Sequence, residues 1–107
     1  MKNKKPELLT RKEFRKQVFE RDEFKCVFCG KAAVDPHHIL DRSLFDDEGY
    51  YLSNGVSVCS DHHWSCEQGL KSPEQIREIA KITEVILPPG FDPSKKYTKF
   101  GEVISNQ

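Results

Sequence analysis

The sequence predicts a small α+β domain in which a helix, a long β-hairpin and two further helices are stapled by a metal ion. Three observations predict it. Thr10 and Glu13 have the T-x-x-E form of a capping box, ahead of Phe14, Val18 and Phe19 at helical spacing. "AVDPHHIL" and "NGVSVC" are two short strand-like runs bracketing the loop "DRSLFDDEGYYLS". Cys26-x-x-Cys29 is answered, after the 29 residues from Gly30 to Val58, by Cys59-x-x-His62, and two such pairs make a tetrahedral site.

Each element follows in order. The first helix is expected from about Arg11 to Arg21, ending near Asp22. "CVFCGKAAV" reads as a knuckle-like turn closed by Gly30, and the hairpin comes next. Ser60 can cap a short helix from Asp61 to Gln68, with Gly69 as its stop. Ser72, Pro73 and Gln75 open a last helix that runs through "EQIREIAKITEVIL" until "PPG" breaks it, and an irregular tail follows. No repeat or low-complexity segment divides the chain. It reads as one domain, residues 1–107, with a basic arm at 1–14, a motif core at 15–69, and a helix and tail at 70–107.

Composition explains why a staple is expected. A 107-residue chain that is 36% hydrophobic builds only a thin core. The start, "MKNKKPELLT", is charged, and no run of about 18 apolar residues occurs, so neither a secretory leader nor a membrane span is expected and the protein reads as cytoplasmic. In that reducing compartment four cysteines serve as metal ligands more readily than as two disulfides. Net charge is zero, but residues 1–31 carry +5, residues 32–67 carry −6 and residues 68–107 carry +1. A basic arm beside an acidic middle suits a phosphate-tracking surface next to a carboxylate-bearing site; a solvated face beside an acidic loop has the same composition.

Spacing selects Cys26, Cys29, Cys59 and His62 as ligands of a structural zinc. Cys66, one helical turn beyond His62, is the rival fourth ligand, and free buried thiols are the alternative to any metal. His63 cannot easily share that zinc, because adjacent helical residues point about 100° apart. It faces whatever the hairpin supplies, and "DPHHILD" supplies His37 and His38.

"FERDEFKCVFCGKAAVDPHHILDRS … LSNGVSVCSDHHWSC" resembles the HNH endonucleases over about residues 15–69. The resemblance implies a ββα-metal fold of the zinc-bearing subclass with flanking amino- and carboxy-terminal helices, and a metal-dependent hydrolysis of DNA that leaves a 5′-phosphate. It implies catalytic roles for His38 as general base, for Asn54 as the central Asn, and for His63 as the final metal-binding His. His37 stands where many members have a further metal ligand. Two departures are visible: His62 stands where a Cys is usual, and Trp64 and Glu67 stand where a basic residue often follows the final His.

Chemistry is consistent with those roles. A neutral histidine suits water activation near neutral pH, and a divalent ion held by His37 and His63 would stabilise the leaving oxygen. Two imidazoles soften the site, so manganese, cobalt or nickel should serve better than magnesium, although Asp35 or Asp41 could restore oxygen character. Arg11, Lys12, Arg15, Lys16, Arg21 and Lys25 are the candidate DNA phosphate contacts. A reading from another class stays open: a non-catalytic zinc module that scaffolds a nucleic-acid or protein interaction.

Overall fold

The computed structural model describes residues 7–104. Residues 1–6 of the basic arm and 105–107 of the tail lie outside the described residues. Five main elements occur in order: helix α1 (Arg11–Arg21), strand β1 (Asp35–His38), strand β2 (Gly55–Val58), helix α2 (Ser60–Glu67) and helix α3 (Pro73–Ala80), with short 3-10 turns at Arg42–Leu44 and Leu52–Asn54. Among the described residues the architecture is α+β, three helices around one two-stranded antiparallel sheet. None of the described helices is long and apolar enough to cross a membrane.

The sheet separates two small cores. Asp35 pairs with Val58 and His37 with Val56, and these residues share one face; Pro36 pairs with Ser57 and His38 with Gly55 on the other, as strand alternation requires. On the first face Ile39, Val56, Val58, Cys66 and Ile76 pack together under α2 and α3. On the second, Leu9, Phe14, Val18 and Tyr50 pack under α1. Gly55 makes that second face possible. A Cβ there would lie 2.5 Å from the Phe14 ring and 2.8 Å from Val18, so only glycine lets α1 settle against the sheet.

Both capping boxes form. Thr10 and Glu13 exchange hydrogen bonds at the start of α1, and Ser72 and Gln75 do so at the start of α3. Several boundaries differ from the sequence expectation: both strands are four residues long, shorter than the runs "AVDPHHIL" and "NGVSVC", α2 lies one residue earlier than Asp61–Gln68, and α3 ends early. Helix α2 starts at Ser60 with Cys59 as its N-cap, because the Cys59 sulfur is turned toward the knuckle and leaves Ser60 inside the first turn. Helix α3 stops at Ala80 and does not run on to Leu87. Lys81 takes the left-handed conformation, Ile82 N–H bonds back to the Arg77 carbonyl, and Ile82 packs on the core, a Schellman ending in which burial of Ile82 outweighs the cost of a left-handed lysine. The β-branched run beyond it gives the helix little to propagate on.

Asn54 closes the loop between the strands. It is buried at the end of its 3-10 turn, one residue before β2 begins. Its Oδ1 accepts from Leu40 N–H at 2.9 Å, and its Nδ2 donates to the carbonyls of Leu40 at 3.1 Å and Gly49 at 3.2 Å. Asn54→Ala would leave a backbone donor and two acceptors unpaired in the interior. We expect it to lower unfolding free energy by about 2–4 kcal/mol in urea titrations; a loss below about 0.5 kcal/mol would show that these bonds are easily replaced.

Candidate functional site

The first cluster joins the knuckle to the start of α2. Cys26 Sγ lies 3.5 Å from His62 Nδ1, Cys59 Sγ lies 3.3 Å from the same nitrogen, and Cys29 Sγ lies 3.8 Å from Cys59 Sγ. A tetrahedral zinc with ordinary bond lengths has edges of about 3.8 Å between sulfurs and about 3.6 Å between sulfur and nitrogen. The four donors are therefore close enough to hold one metal ion, and they match zinc in chemistry as well as spacing. The Cys59 thiol is drawn down to about 6, first by the His62 backbone N–H at the start of α2, and a thiolate is the form a metal needs. Cys66 is elsewhere. It is 1% exposed among Ile39, Val56, Val58 and Ile76, and burial pushes its thiol up to about 11. His62 completes the set.

His63, one residue on, faces the sheet. Its Nδ1 lies 3.0 Å from Asp35 Oδ2 and its Nε2 lies 3.5 Å from Glu67 Oε2. His37 projects from the same sheet face as Asp35, its ring centre 5.7 Å from that of His63 and its Nδ1 3.2 Å from Glu67 Oε2. His37, His63 and Glu67 form a second group whose donor atoms could share one ion. Asp35 holds the far nitrogen of His63, the usual arrangement by which a carboxylate orients a ligating imidazole. The fit to a metal rests on His37. It is 2% exposed, neither ring nitrogen has an aligned hydrogen-bond partner among the described residues, and burial foremost, then the charge of Lys99, holds its pKa down to about 3. A neutral imidazole with two orphaned buried nitrogens beside a carboxylate is a ligand set whose requirements an ion would meet.

His38 goes to the other face. Its ring stacks on Phe14 at 4.6 Å and meets Tyr50 edge-on at 5.0 Å. Burial, then Lys99 and Arg42, lower its pKa to about 4, against weaker pulls from Asp41 and a hydrogen bond to the Glu48 backbone carbonyl. Its Nε2 is buried without a partner among the described residues. Around it lies a cavity of about 190 Å³ lined by Arg11, Arg15, Arg42, Asp35, Phe14 and Tyr50 among others. The strand stays regular at Pro36, so His37 and His38 do not converge on one point; they flank β1 from opposite sides, and Asp35 touches both surroundings.

The basic residues divide in the same way. Arg11, Lys12, Arg15, Lys16 and Lys25 are exposed, with Arg15 over the Phe19 ring and Lys16 loosely beside Glu20. Arg21 is committed inside the fold: its guanidinium donates to the Asp22 carboxylate and to the carbonyls of Leu52 and Gly55. Its donors tie α1 to β2, which removes it from the residues free to meet a phosphate. Three further residues reach the two sites. Glu67 was legible as the residue one turn after His63; Arg42 and Lys99 had no local signal.

Comparison with protein-family models, with curated proteins and with solved structures gave no match to this chain.

Proposed function

We propose that the protein is a metal-dependent endonuclease of the HNH kind, with a ββα-metal core formed by β1, β2 and α2. The observation that carries this reading is the pairing, across one four-residue strand, of a His37–His63–Glu67 donor set with a neutral His38 whose buried Nε2 has no partner among the described residues and which lies in an arginine-lined cavity. Among the described residues the two-stranded sheet leaves β1 one edge without a strand partner, and a phosphodiester lying along that edge has access to both sides.

Each residue then has a task. A divalent ion, when bound, supplies positive charge for the scissile phosphate and the leaving 3′ oxygen. His37, His63 and Glu67 hold that ion, and Asp35 orients His63. His38 accepts a water proton at Nε2, while the Phe14 and Tyr50 rings packed on it fix the imidazole. Asn54 keeps the loop that carries Leu40 and Gly49 in register with β1. Arg11, Arg15 and Arg42 bind DNA phosphates, with Lys12, Lys16 and Lys25 extending the surface. Two imidazoles and one carboxylate favour manganese, cobalt or nickel over magnesium.

The test is nicking of supercoiled plasmid by zinc-loaded protein in manganese, with and without chelator. Cleavage should require the added ion and vanish in His63→Ala with zinc content unchanged. Cleavage that survives His63→Ala, or none under any divalent ion, would sink the proposal and leave the zinc module.

A further inference from the structure

The tail contributes a cation to this centre. Residues 97–103 form a tight turn closed by a bridge between Tyr97 and Val103 and by Thr98 N–H to the Glu102 carbonyl. The turn is docked to the end of the hairpin through Asp41 N–H to the Lys99 carbonyl, at 3.0 Å. Lys99 is thereby carried inward. Its side chain is 4% exposed, and its ammonium lies 3.1 Å from Asp41 Oδ1 and 3.9 Å from Glu67 Oε2. Asp41 is already supplied: Ser43 gives it both a backbone N–H and a hydroxyl. Burying an ammonium is costly unless anions are at hand, and the two it reaches are Asp41 and a member of the second donor set.

We infer that Lys99 is the built-in counter-ion of the His37–His63–Glu67 site, competing with a divalent ion for the Glu67 carboxylate and so setting the affinity and exchange of that ion. The inference rests on the proposed metal site and goes beyond it. Asp41 anchors the ammonium, and Glu67 is the partner it shares. An ion entering between the imidazoles and Glu67 meets a fixed positive charge one contact away, which weakens binding and keeps the ion exchangeable; without that charge the same donors grip harder. Lys99 acts through Glu67, so it is a positioning residue.

Manganese binding to zinc-loaded protein, followed by electron paramagnetic resonance of the free ion, measures this without any cleavage assay. Manganese is suited to the imidazole–carboxylate site and poorly suited to the thiolate one. Lys99→Met should tighten manganese binding by about tenfold or more, and Lys99→Arg, which keeps the charge, should stay within about threefold of wild type. If Asp41 left unpaired prevents Lys99→Met from folding, the double variant Lys99→Met/Asp41→Asn removes the stranded charge and should still tighten manganese binding, by less than Lys99→Met because a nearby negative charge is lost with it. Unchanged or weaker binding in whichever of these folds overturns the inference. Wild-type binding abolished by His63→Ala but unmoved by Lys99→Met would reject Lys99 alone; wild-type protein that binds no manganese would reject the metal site with it.

Discussion

Withholding zinc from the Cys26–Cys29–Cys59–His62 cluster, whose donors lie close enough to hold it, is expected to unfold the protein. Each core is a handful of side chains on one face of a sheet whose strands are four residues long. Domains of this size have about 5–15 kcal/mol of net stability in favourable cases, and a structural zinc can contribute on the order of 10 kcal/mol of apparent free energy. The cluster also ties the knuckle to the start of α2, adding to the packing of Val27 and Phe28 against the first core. The knuckle is tied to the sheet by Val27 N–H to the Ser57 carbonyl, and the Cys26 and Gly30 amides bond within the knuckle itself. Without an ion, only weak sulfur–imidazole and sulfur–sulfur hydrogen bonds hold the three thiols and the imidazole together. Chelator treatment should collapse the dispersion of amide signals and abolish a cooperative thermal transition, and zinc should restore both. Cys29→Ala should behave like the stripped protein although Cys29 is exposed, whereas Cys66→Ala, wholly inside the core, should cost only about 1–2 kcal/mol for its small cavity. Folded protein without bound metal, or a reversed order of the two variants, would remove the metal from the fold.

What could be read from the sequence divides along physical lines. Capping boxes are local, four residues long, and compete with nothing distant, so the starts of α1 and α3 were legible at Thr10 and Ser72. Pairs of ligands at two-residue spacing are local as well, and each defines half of a tetrahedron before any tertiary structure exists. The end of α3 was not legible, because it depends on Ile82 finding the core, which is a long-range event. Lys99 was beyond reach for the same reason. It is 58 residues from Asp41 and enters the centre only because an irregular tail folds back over the hairpin. The strand's alternation was available, and it is what the structure follows: His37 and His38 lie on opposite faces, each with its own surroundings.

That separation makes His38 the most informative position for the proposed reaction. With His38 replaced by Ala, DNA cleavage is expected to fall by roughly 100-fold or more, the scale of general-base catalysis, with zinc content and manganese binding unchanged. The ring lies between Phe14 and Tyr50, so truncation also opens a cavity, and some loss of stability is expected; His38→Gln, which fills more of that space but is a poor proton acceptor, should lose the same activity with a smaller drop in melting temperature. A base held at about 4 is neutral at neutral pH but weak. After burial, two of the forces that weaken it are the charges of Lys99 and Arg42. A phosphate seated among Arg11, Arg15 and Arg42 would offset that field and strengthen His38 as a base when substrate is present. Arg42→Ala is then expected to raise the KM for DNA and to flatten its salt dependence, with a smaller effect on turnover than His38→Ala. If His38→Ala and His38→Gln both cleave at the wild-type rate, the proton goes elsewhere, and the buried Nε2 is a structural feature of the α1 face.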